Sequence, residues 1–475
     1  MFVDREEILK RLIAEYDHPS FRFTILYGRR RVGKTTLLKK YIENRPHIYY
    51  LVTLESMPLV LRRFQRIVAE QIGDELLAEL TFENFEQLFA YIARQPSTEK
   101  RIIVIDEFQY LGRIDRSIPS QFQRIVDEIL KETNIHLILC GSIISMMYEQ
   151  TLSYTSPLYG RRTSSFKLDA LEYRYLEAFF PGTSEIERIE LYAVLYGVPK
   201  YLEFFSYEGD IFQSIERHIL DKHAFLYDEP RYILQNEVSE PITYFSILEV
   251  IAGGEHKIGN IAGKLGKNVQ NITAFIAKLI DLEILYKEIP VTEAHPHKSK
   301  KGLYFIKDNF FRFWFTYVLP YKSQLEMGNS AYALQKIKES FSEYVSKSYE
   351  ELAISYVQSR YSPLKCGRWW NKDAEIDIVA VFGSWLMAGE CKYSNKRVGT
   401  DILESLIEKS KQIDSDLPVK CFILFSKSGF TAALIERAER EGNIVLVEGL
   451  KVVAGSDAPC GGRLLQRIEK EGSDE

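Results

Sequence analysis

The stretch Tyr27-Gly28-Arg29-Arg30-Arg31-Val32-Gly33-Lys34-Thr35-Thr36 reads G-x-x-x-x-G-K-T, the pattern of a phosphate-binding loop. Its flanks suit that reading. Phe23, Ile25 and Leu26 before it fit a buried strand, and Leu37, Leu38, Tyr41 and Ile42 after it repeat at helical spacing. A strand, a glycine loop and a helix start make an anion cradle. Main-chain N–H groups from Gly28 through Arg29, Arg30, Arg31, Val32 and Gly33 to Lys34 point at the ligand, and the helix dipole adds positive potential. Lys34 is expected on the β- and γ-phosphates of ATP, and Thr35 on Mg²⁺, with Thr36 completing the cradle.

Working outward, Asp4 to Tyr16 and Phe85 to Ala93 read as helices, Leu61 to Leu80 as another, and Ile48 to Val52 as a strand. Arg101-Ile102-Ile103-Val104-Ile105-Asp106-Glu107 is a buried parallel strand that delivers two carboxylates to the ligand edge of a sheet. Asp106 is expected to hold Mg²⁺ and Glu107 to orient or deprotonate the attacking water. His136 to Cys140 is a further strand ending in Gly141-Ser142. Ser142 there either senses the γ-phosphate or caps a helix. In Gly160-Arg161-Arg162, an arginine either stabilises transition-state charge, within the chain or from a neighbouring copy in a homo-oligomer, or pairs with surface glutamates.

These residues carry a family resemblance. Phe2-x-Asp4-Arg5-Glu6, Gly28 to Thr36, Ile105-Asp106-Glu107-Phe108-Gln109, Cys140-Gly141-Ser142, Leu158-Tyr159-Gly160-Arg161 and Gly197-Val198-Pro199-Lys200-Tyr201-Leu202 resemble the archaeal and bacterial ATPase family allied to the AAA+ and STAND classes. The resemblance covers residues 1–240. It implies an α/β P-loop core (1–170) with a helical lid (171–240), and it implies that Pro199 lies by the nucleotide.

Ile242 to Ala252, Ile258 to Leu265 and Asn268 to Leu282 then read as three helices, and Ile284 to Ile289 with Gly302 to Ile306 as a hairpin. That order predicts a winged helix over 241–330. Val269, Ile272, Ile276 and Leu279 are expected to face inward. Lys267, Gln270, Asn271, Thr273 and Lys278 would face outward, able to reach DNA bases and phosphates. His295 to Lys301 would be a basic wing tip. The same module also serves as a protein-interaction unit. The aromatic run Lys307 to Phe315 needs burial and is expected to pack between domains.

In the last third, a helix from Phe341 to Tyr361 precedes three strands, Cys366 to Trp370, Glu375 to Phe382 and Trp385 to Lys392. A helix, a strand, another helix and a short strand follow. Gly383-Ser384 predicts a two-residue type II′ turn. Counting outward puts Asp377 opposite Glu390 and Glu375 opposite Lys392, all on one face, with Cys391 on the other. Two facing carboxylates can share a divalent cation, and a neighbouring lysine can stabilise a phosphate. Asp377, Glu390 and Lys392 resemble the motif of the PD-(D/E)xK nuclease superfamily, with Ile376 where a proline usually stands. Glu350 matches its upstream helix glutamate, with Glu351 the competitor. The resemblance implies an α/β restriction-endonuclease-like domain over 335–450 that acts on DNA through a metal. A Glu375–Lys392 ion pair without chemistry, or a domain that binds partners without cutting, is the other reading.

Composition sets outer bounds. The chain has 475 residues, 46% hydrophobic and 27% charged, so a folded core is expected through most of it. A net charge of -5 excludes a global basic field, so any DNA contact needs a local patch. Five scattered cysteines form no C-x-x-C pair and indicate neither a disulfide framework nor a zinc site. No apolar run is long enough to span a bilayer. No signal peptide is recognisable, and the expected compartment is the reducing cytoplasm. Residues 451–475 read as a flexible tail.

Overall fold

Apolar residues that alternate sides along a parallel strand must be covered on both faces. The first sheet satisfies this. A computed structural model describes residues 3–97, 99–238 and 240–455. In it β1 (Arg22–Tyr27), β2 (His47–Leu51), β3 (Arg101–Asp106), β4 (Ile135–Gly141) and β5 (Ser164–Lys167) form one parallel sheet in the order β2-β3-β4-β1-β5. Ile103, Ile105, Leu137 and Leu139 pack on one side, with the helices Met57–Ile72 and Phe85–Arg94. Ile102, Val104, Ile138 and Cys140 pack on the other, with Leu12 and Leu37. Each such burial stabilises by about 1.5–3 kcal/mol. The long helix expected at Leu61 to Leu80 instead ends at Ile72. Gly73 takes φ +70 and caps it, and a separate short turn spans Leu76–Glu79.

This strand order places β4 between β1 and β3, so the carboxyl ends of all three open at one edge. Helices Glu185–Leu195, Pro199–Glu203 and Glu229–Glu237 follow the sheet. The first is closed by a capping box in which Ser184 and Glu187 satisfy each other's main-chain N–H groups.

Helices Pro241–Ala252, Ile258–Lys264 and Val269–Asp281 lead to an antiparallel hairpin, β6 (Leu285–Glu288) and β7 (Leu303–Ile306), in the expected order. Ile272, Ile276 and Leu279 are buried as expected, but Val269 is exposed because the helix has only begun there. The loop beyond β6 docks on the carboxyl-terminal part, where Val291 N–H donates to the Arg368 carbonyl at 3.0 Å. Asp308 caps the helix Asn309–Phe313 through the N–H groups of Phe310 and Phe311. Phe310, Phe311, Phe313, Trp314 and Phe315 are all buried, so the aromatic run is packing, as expected.

The 32-residue helix Ser330–Tyr361 then backs a second sheet of β8 (Lys365–Trp370), β9 (Glu375–Val381), β10 (Leu386–Lys392), β11 (Val419–Ser426), β12 (Ile444–Glu448) and β13 (Lys451–Ala454). Its order runs β13-β12-β11-β10-β9-β8, parallel from β10 to β12 and antiparallel outside. The long helix covers the face of Ile378, Met387 and Ile423. Helices Thr400–Ser410 and Ala432–Glu441 cover the face of Leu386, Ala388 and Leu446. Two expectations need correction. Gly383 is not in the left-handed region that a type II′ turn requires, although the register it predicted holds from Leu386↔Val381 to Gly389↔Ile378. The expected tail begins with a strand, because Lys451–Ala454 pairs with β12. Residues 456–475, with Cys460, and Phe2 lie outside the described residues.

Candidate functional site

The phosphate loop is shaped by two glycines. A Cβ on Gly28 would stand 2.2 Å from the Leu168 carbonyl oxygen, and Gly33 has φ +92. Arg31 (φ +72) and Glu107 (φ +57) also take left-handed backbone. Non-glycine residues pay roughly 1–3 kcal/mol for that, and such strain concentrates where the surrounding structure needs it.

A cavity of about 340 Å³ lies at the sheet edge, walled by Arg30, Arg31, Lys34, Thr35, Glu107 and Pro199, with Ser142 and Lys200 also at its surface. Lys34 Nζ donates to the carbonyls of Gly28 and Arg29, each at 2.8 Å. Burial holds its amine below the usual lysine range. Thr35 Oγ1 donates to Asp106 Oδ2 at 3.2 Å, and Tyr49 OH donates to the same oxygen at 2.6 Å. Glu107 Oε2 accepts from Ser142 Oγ at 2.7 Å and from Gln109 Nε2. Ser142 therefore bonds to the candidate base and caps no helix. Asp106 and Glu107 are both held by neutral donors, and no cation among these contacts cancels them.

The three loop arginines find distant acids. Arg29 Nη1 meets Asp308 at 3.0 Å, where the aspartate side chain is fully buried. Arg30 meets Glu237 at 3.4 Å and donates to Tyr110 OH at 2.6 Å. Arg31 meets Glu229 at 2.8 Å. Burial pushes the Glu237 carboxyl up to about 7 despite Arg30 and Arg29, with Glu107 adding to the rise. The phosphate loop is thus tied to the helix Glu229–Glu237 and to the start of the aromatic helix.

In the second sheet the ladder stops just before Asp377 and Glu390. Asp377 Oδ2 accepts from the Cys391 N–H at 2.9 Å. Burial pushes its carboxyl up to about 7, with Glu350 and then Glu390 adding repulsion. Glu390 accepts from Lys392 at 2.8 Å and from Lys409 at 3.2 Å. Burial works against the Lys392 charge, but its bond to Glu390 wins and holds the amine above its usual range. Glu350 meets Lys347 at 3.4 Å, and Glu351 instead receives the Tyr286 hydroxyl at 3.1 Å. Glu375 pairs with Arg368, not with Lys392. Among the described residues no group of three or more His, Cys, Asp and Glu is arranged to hold a metal ion.

Comparison with known proteins identifies a family. Residues 2–205 match the model of an ATPase domain found predominantly in Archaea, and residues 314–403 match one for archaeal and bacterial proteins of unknown function. An uncharacterized protein of Methanocaldococcus jannaschii is 38% identical over 388 residues, 80% of this chain and 84% of that protein. The chain belongs to this archaeal P-loop ATPase family. An uncharacterized ATP-binding protein of Pyrococcus abyssi is 23% identical over 283 residues, 51% of this chain and 83% of its own. Among solved structures, a Walker-type ATPase of P. abyssi aligns at 21% identity with a TM-score of 0.49, covering 66% of this chain and 96% of its own.

For this family member, the structure brings Lys34, Thr35, Asp106, Glu107, Ser142 and Pro199 to one edge. Arg161 is not brought there: it forks onto both oxygens of Asp127, each at 2.9 Å, the surface pair that was its other reading. Lys278, expected outward for DNA, reaches Ser145 Oγ at 2.5 Å beside the ATPase sheet. Lys267, Gln270, Asn271 and Thr273 are exposed. At the wing tip Lys301 pairs with Glu293 at 3.2 Å, and the His297 side chain lies outside the described residues. Sequence reasoning missed Tyr49, Lys200 and the acids Glu229, Glu237 and Asp308. One signal was available for the acids: three adjacent arginines in a loop demand counter-charges, and none is local. Among the described residues no helix is long and apolar enough to cross a membrane.

Proposed function

We propose that this chain binds ATP in the 340 Å³ cavity and hydrolyses it. The observation that carries the reading is the convergence of Lys34, the Thr35–Asp106 pair and the Ser142–Glu107 pair on one edge of the sheet. Lys34 exchanges its two carbonyl partners for β- and γ-phosphate oxygens. Thr35 and Asp106 are a hard-oxygen donor pair suited to Mg²⁺, which would supply charge neutralisation between those phosphates. Glu107 accepts the proton of the attacking water, and Ser142 keeps its carboxylate aimed. Pro199 closes the lid side, and the ATP-binding name of the Pyrococcus relative agrees. Glu107→Gln tests this: nucleotide binding should persist while phosphate release stops. Undiminished release would assign the base elsewhere.

The nucleotide state is read out, on this proposal, by the helices and hairpin of 241–330 and by a nuclease-like unit over 335–450, with DNA as the associated partner. The exposed Lys267, Gln270, Asn271 and Thr273 face supports a DNA contact. Asp377, Glu390 and Lys392 at adjoining strand ends support the nuclease-like chemistry, with Asp377 and Glu390 the residues that would hold a divalent cation. One observation favours the second reading, a nucleotide-switched scaffold that does not cut: Glu390 is already paired by Lys392 and Lys409. Plasmid nicking with Mg²⁺ or Mn²⁺ decides. Nicking lost in Asp377→Ala with ATP hydrolysis intact supports the nuclease; no nicking of any DNA form supports the scaffold.

A further inference from the structure

A cavity of about 590 Å³ lies apart from the nucleotide pocket. It lies between the hairpin strand β7, the aromatic helix and the long helix Ser330–Tyr361, and it reaches β8 and β9. Arg312, Lys347 and Arg368 line it, together with the acids Glu343, Glu350 and Glu375. Its cations are held against rings: Lys347 Nζ sits 4.8 Å from the Phe305 centroid, and Arg312 Cζ 4.9 Å from that of Tyr344.

One donor beside this cavity is left over. Arg312 spends one Nη on Ser348 Oγ at 2.5 Å and approaches Glu351 with the other at 3.8 Å. Arg368 spends its Nη atoms on Glu288 at 2.9 Å and on Glu375. Neither Nε makes a hydrogen bond, but that of Arg368 lies 3.9 Å from Glu350 Oε2, so only the Arg312 Nε has no acid beside it. A buried charged donor without an acceptor is costly, so the Arg312 Nε beside this cavity points to a missing acceptor-bearing anion. A guanidinium suits phosphate oxygens, and Glu350, whose charge acts on Asp377, is part of the cavity wall. Its volume falls in the range of about 300–1,000 Å³ typical of small-ligand pockets, room for a nucleotide or two and not for a duplex.

We propose that this cavity seats the sugar-phosphate backbone of a single-stranded nucleic acid, with phosphates on Lys347, Arg312 and Arg368 next to Glu350. The proposal rests on the nuclease-like reading for its orientation but not for its binding. A strand end or flap enters between the hairpin and the long helix and is passed toward Asp377 and Glu390.

The test is fluorescence anisotropy of a fluorescein-labelled oligo-dT on the full chain in EDTA, where no cleavage occurs, across a salt series. Lys347→Met removes one phosphate contact. It should weaken binding about 10-fold and reduce the slope of log affinity against log salt by about 0.7, while ATP hydrolysis is unchanged. Lys347→Arg should restore both. Ser346→Asp, which adds an anion at the same wall, should weaken binding without touching the ion pairs. Unchanged affinity and slope in both Lys347→Met and Ser346→Asp would overturn the proposal. So would equal competition by poly-glutamate, which would assign the cavity to an acidic peptide. If Asp377→Ala and the parent both fail to nick but bind the oligonucleotide in this Lys347-dependent way, the nuclease reading falls and this one stands.

Discussion

Lys34 and Lys392 each stand beside a pair of acids at the edge of a sheet, yet they are occupied differently. Lys34 rests on the carbonyls of Gly28 and Arg29, and Asp106 and Glu107 beside it are held by hydroxyls and amides. Lys392 is bonded to Glu390, which Lys409 engages as well. The first pocket keeps its cation and its acids apart, so an incoming triphosphate can take the lysine without breaking an ion pair. The second is already neutralised from within, so a metal or phosphate must displace a partner. Lys392 and Lys409 are each about a third exposed, so water screens these pairs and displacing one costs less than breaking a buried pair would. One pocket holds its lysine on main-chain carbonyls and the other holds two lysines on a carboxylate.

The largest effect should come from Glu107→Gln. It removes the proposed base at the first pocket and should slow ATP hydrolysis by about 100- to 10,000-fold, with nucleotide affinity near that of the parent. A phosphate-release assay checks it, and a smaller effect would erase the contrast between the pockets. Next is the tie between the phosphate loop and the rest of the chain. Asp308→Ala strands the Arg29 guanidinium and uncaps the helix Asn309–Phe313. Denaturant unfolding should show a loss of about 3–5 kcal/mol, and Asp308→Asn a smaller one because it keeps the cap.

Lys409→Met should sharpen the contrast from the other side. With one internal cation gone, Glu390 is freer, and Mn²⁺ should raise the melting temperature more than in the parent. An equal Mn²⁺ response would show that Lys409 gates nothing. The smallest effect concerns Glu237. Its folded-state carboxyl is raised to about 7, above an ordinary unfolded value near 4.5, so the folded chain holds an extra proton in that window. Stability therefore falls as pH rises from about 4.5 through 7. Glu237→Gln should flatten that fall, melting a few degrees higher than the parent at pH 8 and near it at pH 5.

The first pocket was legible in the sequence because its chemistry is local. A strand, a glycine loop and a helix are contiguous from Phe23 to Ile42, and Ile102 to Glu107 carries its own pattern. The hairpin register was legible too, since period-two counting from Phe382 and Trp385 needs no turn geometry. What could not be read depends on partners far along the chain. Arg29 meets Asp308 and Arg31 meets Glu229 across some two hundred residues or more, and no spacing rule links them. Lys451–Ala454 looked like tail because its strand character comes from pairing with β12. Lys278 looked like a DNA contact until the fold laid its helix against Ser145.

The central claim is that a triphosphate settles at the carboxyl edge of the first sheet with Lys34 as its charged partner. Titration of a fluorescent ATP analogue with Mg²⁺ into the parent and Lys34→Ala measures this directly. The account predicts an affinity loss of at least roughly 100-fold, about 2.7 kcal/mol, in a protein whose melting temperature is otherwise kept. Equal affinities in the two proteins would contradict it.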